Sequence, residues 1–221
     1  MSVAGPHLEP GRTAIVAVDF QHDIVGADGA FAAMFRAEVE RANVIPVAAR
    51  LLDGARAAGV KVVHSRATFQ PGYPELVPNI PLFANVAQQG CLVDGTAGAA
   101  IIDALAPQGG DVVLTHHRVS CFHGTELDVV LRGAGIDTVV LAGVATNLAV
   151  ESSARAGADL GYRVLVVSDA CSTTSQTAHD ASLASLAMFA EIVPAKDLLA
   201  ALGNDQQPNS TGEHALTGDL P

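Results

Sequence analysis

The sequence predicts a three-layer, Rossmann-like α/β domain with a mostly parallel sheet of five or six strands flanked by helices. Three observations carry that expectation. Short Val-rich runs recur along the chain, and helix-forming segments rich in Ala, Leu and charged residues separate them. Of the 221 residues 49% are hydrophobic and only 16% are charged, enough apolar material to bury a sheet on both faces. Strands covered on both faces read as continuous apolar runs, and their alternation with helices is the signature of parallel crossover connections.

Taken in order, "TAIVAVDF" (13–20) is the first strand. Residues 31–58 are helical, with Pro46 as a kink or as the break between two helices. "VKVVHSR" (60–66) is the second strand. Segment 67–96 holds four prolines and little periodicity, and is too long for an ordinary connection, so it is read as a lid or a subunit contact. A short helix is expected at 97–105 and a third strand at "DVVLTHH" (111–117). The helix in "GTELDVVLRGAG" (124–135) stops on Gly133 and Gly135. Then come a fourth strand, "DTVVLAG" (137–143), a helix over 147–160, a fifth strand, "RVLVVSDA" (163–170), and a last long helix over 176–190. "EIV" (191–193) can add a sixth strand. The domain is set at residues 1–202. The polar, helix-poor tail 203–221 is expected to pack on a neighbouring subunit.

Composition removes several classes of function. The formal net charge is −11 with no basic cluster, which excludes nucleic acid and anionic membrane as expected partners. No apolar run approaches the roughly 20 residues of a membrane span. The start, "MSVAGPHLEPGR", carries no apolar signal core, so a cytoplasmic location is expected. Cys91, Cys121 and Cys171 show no CxxC spacing, and neither a disulfide nor a zinc framework is expected. His64 has no Asp or His partners at metal-ligand spacing. The expectation is a small-molecule substrate, with no metal and no cofactor.

In parallel α/β sheets the ligand site lies at the carboxyl ends of the strands. Asp19, Arg66, His116 and the turn 143–149 all fall there. Asp19 closes an apolar strand, where a carboxylate is costly unless paired; it is a candidate acid/base, or else a helix cap. His116 and His117 face opposite sides unless the strand has ended. Only one of the two can then face the pocket, and the alternative is a solvated strand-end histidine. Gln21, Arg66, Phe122 and Thr146 are candidates for substrate binding. Arg66 could clamp a carboxylate. The first three could equally be surface or packing residues, and Thr146 a helix cap. Arg118, Glu126, Arg132 and Arg155 are read as solvated or structural. A nucleophile would be well placed at the first helical turn after 143–147, but the residue there is Ala149.

The runs "AIVAVDFQHDI", "HHRVSCFHGTELDVVLRGAGIDTVVLAGVATN" and "VESSARAGADLGYRVLVVSDACS" span residues 13–175 and together resemble the isochorismatase-like hydrolase superfamily. The resemblance implies a Rossmann-like sheet, a homodimer or homotetramer, and a catalytic Asp, Lys and Cys. Asp19 matches the aspartate, His116 stands at the lysine position and Ala149 at the cysteine position. The resemblance also implies a cis peptide at Val144–Ala145 and an oxyanion hole from the amides of Ala145 and Ala149. Alanine cannot form a thioester. The expected enzyme is therefore a hydrolase working by non-covalent acid/base chemistry, through Asp19 with His116 assisting, on a vinyl ether or another acid-labile C–O or C–N bond. The alternatives are an amide or ureide hydrolase whose cysteine has been replaced by Ala149, and a silent ligand-binding member. Cys121, near the His116 loop, is a weaker candidate for a replacement thiol.

Overall fold

The computed structural model describes residues 7–204, and its sheet is parallel throughout. Its strands are β1 (Thr13–Val18), β2 (Lys61–Ala67), β3 (Val112–His116), β4 (Thr138–Val144), β5 (Arg163–Ser172) and β6 (Glu191–Val193), in the order β3-β2-β1-β4-β5-β6. All six expected strands are present. β1 and β4 are adjacent at the centre and buried along their whole length, which explains their unbroken apolar sequences.

The period of two along each strand divides the core. Ile15, Ala17, Val62, Val140, Ala142, Leu165 and Val167 face one helical layer, and Ala14, Val16, Val18, Val63, Val139, Leu141, Val164 and Val166 face the other. The helices of the first layer are α1 (His22–Val25), α2 (Ala32–Arg41), α3 (Val44–Ala57), α4 (Pro81–Gln89) and α8 (Ala195–Asn204). The second layer holds α5 (Leu127–Gly133), α6 (Glu151–Asp159) and α7 (Gln176–Leu186).

Three expectations are corrected. The break within 31–58 lies at Asn43, which takes a left-handed conformation (φ 55°) between α2 and α3. Pro46 sits in the first turn of α3, where a missing N–H leaves no helical acceptor unmet. Segment 97–105 holds only a 3₁₀ turn, Asp103–Leu105. The long connection 67–96 contains a helix after all, α4, opened by Pro81 and closed by Gly90 at φ 63°. Of the tail, only residues 203 and 204 are described, as the end of α8; the expected packing of 203–221 lies outside the described residues.

Beyond β1 the sheet order reverses, with β2 and β3 on one side and β4 to β6 on the other. Such a switch point opens a crevice at the strand carboxyl ends. The two strands flanking it approach closely. A Cβ on Gly143 would stand 2.2 Å from the carbonyl oxygen of Val18, so only glycine fits there.

Candidate active site

The crevice is a cavity with about 560 Å³ of empty space, part of it open to solvent. Its wall is mostly apolar: Phe31 and Phe35 around α2, Phe69, Leu82, Phe83, Val86 and Leu92 from segment 67–96, and Val144, Ala145, Leu148 and Ala149 after β4. The lid expected from segment 67–96 is thus a wall of the pocket. It is held by Asp23, whose Oδ2 accepts from the Leu92 amide at 2.7 Å, and by the Tyr73 hydroxyl, which donates to the Cys91 carbonyl at 2.8 Å. Phe69 packs against both Tyr73 and Phe83.

The polar residues lining the cavity are Asp19, His116, His117 and Arg118. Asp19 follows β1 at φ 59°, and its amide bonds the Ser65 carbonyl. Its Oδ1 lies 2.8 Å from His116 Nε2, with both residues buried, 6% and 2% exposed. The other ring nitrogen of His116, Nδ1, lies 2.5 Å from the Arg118 carbonyl. A carbonyl only accepts, so Nδ1 carries a proton, and Nε2 and Oδ1 share the next one. Burial works against the imidazolium, but the Asp19 carboxylate and the Arg118 carbonyl outweigh it, and the His116 pKa is raised. The His116 side chain thus pairs with Asp19.

His117 also lines the cavity, because β3 ends at His116 and the pleat no longer turns the next side chain away. Its Nδ1 bonds the Thr68 carbonyl at 2.8 Å. Arg118, expected to be solvated or structural, sits in the wall with its guanidinium 5.1 Å from the centre of the Phe83 ring. Sequence reasoning missed both as cavity residues, along with Phe31 and Phe35. The four-residue spacing of the two phenylalanines was the available signal.

The Val144–Ala145 peptide is cis, as the resemblance implied. A π-helical turn, Thr146–Val150, follows it and leads into α6. Ala149 is buried in the cavity wall within this turn. None of the three cysteines lines the cavity. Cys121 is buried in the opposite layer, and burial pushes its thiol up to about 12, which removes it as a replacement nucleophile. Cys91 and Cys171 are buried with thiols pushed up to about 11 and about 12.

Four expected pocket residues lie outside the cavity wall. Gln21 is fully buried; its Nε2 donates to the carbonyls of Ala67 (2.9 Å) and Ala99 (2.8 Å), and its Oε1 accepts from the Ala67 amide (2.8 Å). All of its described hydrogen bonds thus fasten backbone. Arg66 turns to Asp94, 2.9 Å away. Phe122 packs in the opposite core layer beside Tyr162. Thr146 bonds His179 Nδ1 at 2.8 Å and makes no capping bond. Away from the site, His64 pairs with Asp111 at 3.1 Å. Among the described residues no three His, Cys, Asp or Glu side chains group as a metal site, and no helix is long and apolar enough to cross a membrane.

With this geometry in view, comparisons place the chain among known proteins. The isochorismatase domain model matches residues 13–197. The uncharacterized isochorismatase family protein YwoC of Bacillus subtilis is 34% identical over 172 residues, covering 78% of this chain and 84% of that protein. A ureidoacrylate amidohydrolase of Methylobacterium radiotolerans is 33% identical over 82% of this chain and 76% of its own length. A cysteine hydrolase from Pseudomonas syringae superposes with a TM-score of 0.82 at 28% identity, covering 92% of this chain and 99% of that one. An all-parallel sheet and a family match across nearly the whole described chain agree: the protein belongs to the isochorismatase family of hydrolases.

Proposed function

We propose that this protein hydrolyses a small molecule without a covalent intermediate. Asp19 is the acid/base, His116 orients it and balances its charge, and the amides of Ala145 and Ala149 hold developing negative charge. The observation that carries this reading is the 2.8 Å Asp19–His116 pair, in an apolar cavity where the first helical turn offers a methyl group, Ala149, and no thiol. Neither the cysteine nor the lysine of the family triad is present at its matching position in this sequence.

Proton positions follow from the hydrogen bonds. With Nδ1–H donated to the Arg118 carbonyl and Nε2–H to Oδ1, His116 is a cation that holds Asp19 in one orientation. Oδ2 makes no hydrogen bond among the described residues, and it is the oxygen left for substrate. Protonated, Oδ2 is the acid; as carboxylate, it is the base. For a vinyl ether, Oδ2 delivers its proton to the terminal alkene carbon. Water adds to the resulting oxocarbenium carbon and returns a proton to Asp19, and the hemiketal breaks into an alcohol and a carbonyl compound. The test is a screen of vinyl ethers, amides and ureides with the wild-type protein, followed by Asp19→Asn on every substrate found. Turnover of such a substrate by Asp19→Asn at the wild-type rate would overturn the reading.

A second reading keeps the C–N bond, because relatives at 33–35% identity are amidohydrolases for ureidoacrylate and maleamate. In that case Asp19 as carboxylate activates water directly. Turnover confined to amides or ureides in the same screen selects it. The substrate is small, and a homodimer or homotetramer in the cytoplasm remains part of the proposal.

A further inference from the structure

The geometry points to Arg118 as the carboxylate-binding residue of this cavity, so that the substrate is a small acid whose apolar body sits among the phenylalanines. This inference deepens the proposed function and rests on its assignment of the cavity as the substrate site. Charge accounting leads to it. Asp19 and His116 neutralise each other across 2.8 Å. His117 has one ring nitrogen committed to the Thr68 carbonyl. Arg118 lines the same wall, and among the described residues no carboxylate lies within ion-pair distance of it; its neighbours are the Val77 carbonyl (3.5 Å), the Asn79 side-chain oxygen (3.3 Å) and the Phe83 ring.

The contrast with the rest of the chain is informative. Arg12, Arg36, Arg41, Arg56, Arg66, Arg132, Arg155 and Arg163 each pair with an acid. Among the described residues only Arg50, exposed on α3, and Arg118 make no ion pair, and of these two only Arg118 stands at the cavity. Its two hydrogen bonds are long and go to neutral oxygens, which an anion would displace readily. A guanidinium matches a carboxylate with two parallel N–H donors. Its half-buried position against the Phe83 face strengthens that attraction relative to open water. The aromatic side chains of Phe31, Phe35, Phe69 and Phe83 suit a flat apolar body.

Benzoate and benzamide are suitable probes, because they share a ring and differ in charge. Binding is measured by calorimetry on the full-length protein at low salt, with no turnover required. Benzoate is expected to bind at least about tenfold more tightly than benzamide, and Arg118→Gln is expected to abolish that preference, since a hydrogen bond to a charged group is lost. Arg118→Lys should restore part of it, and Asp19→Asn should retain it. Equal binding of the two probes, binding of neither, or an unchanged preference in Arg118→Gln with an unchanged melting temperature would overturn the assignment. Loss of benzoate binding in Asp19→Asn but not in Arg118→Gln would overturn it too, by placing the carboxylate at His116. The proposed chemistry fails separately, through the Asp19→Asn rate.

Discussion

Thr146 and His179 are joined by a 2.8 Å hydrogen bond between Oγ1 and Nδ1, which ties the turn carrying Ala149 to helix α7. Thr173 adds a second tie, its hydroxyl 2.6 Å from Oδ1 of Asn147. The turn after β4 is thus held from the far side by two residues that follow β5. His179→Ala is expected to leave the melting temperature within a few degrees while lowering kcat more than it raises KM, because the turn and not the apolar wall is loosened. A pure KM effect would show that the tie does not position the reacting groups.

Asp19→Asn is expected to lower kcat by about 10²–10⁴-fold, the usual worth of a general acid or base. The amide keeps the volume and can still accept from His116 Nε2, so the fold should survive. A circular dichroism melt separates lost chemistry from lost structure.

The His116 pKa is raised above its unfolded value of about 6.5 by Asp19 and the Arg118 carbonyl, against burial. The stability it contributes is therefore fully present below about pH 6.5 and is lost as pH rises through the folded value. His116→Gln can keep a donor toward Asp19 without titrating. The wild type is expected to lose melting temperature relative to His116→Gln as pH increases, and turnover should fall on the same limb. Parallel melting curves from pH 5 to pH 9 would refute the assignment.

Ala149→Cys alone is expected to give little amidase activity. A thiol needs a base or a cationic neighbour to become thiolate, and His116 has both nitrogens engaged, by Asp19 and by the Arg118 carbonyl. Hydrolysis of nicotinamide and simple ureides by Ala149→Cys and by Ala149→Cys/His116→Lys gives the comparison. Equal rates would show that the residue at 116 does not limit the thiol.

Gln21→Ala is expected to destabilise the fold by about 2–5 kcal/mol, since it orphans the Ala67 amide and the Ala67 and Ala99 carbonyls where Gln21 is buried. Chemical denaturation measures it. A loss below about 0.5 kcal/mol, as at an ordinary surface position, would contradict the bracket.

The strands were legible because a sheet buried on both faces imposes a local pattern. "TAIVAVDF" and "DTVVLAG" are apolar at every position that meets a helix layer, and such runs need no knowledge of their partners. Asp19 and His116 were legible because strand carboxyl ends collect at one edge of a parallel sheet. Helix α4 went unread: Pro81 at its start and Gly90 past its end were available signals, but the prolines around it read as punctuation.

Side-chain direction at the strand ends belonged to the tertiary structure. Once the pleat stops, a residue turns toward whatever partner the fold supplies: Arg66 to Asp94, Gln21 to the backbone of Ala67 and Ala99, and Thr146 to His179. His117 reached the cavity for the same reason, one residue beyond the end of β3. Those partners lie 28 to 78 positions away in sequence, so local pattern carried no trace of them. The sequence by itself determined the sheet, the strand-end location of the candidate site and the identity of Ala149. Only packing decided which side chains line the cavity, because each contact is settled by groups that meet after the chain has folded.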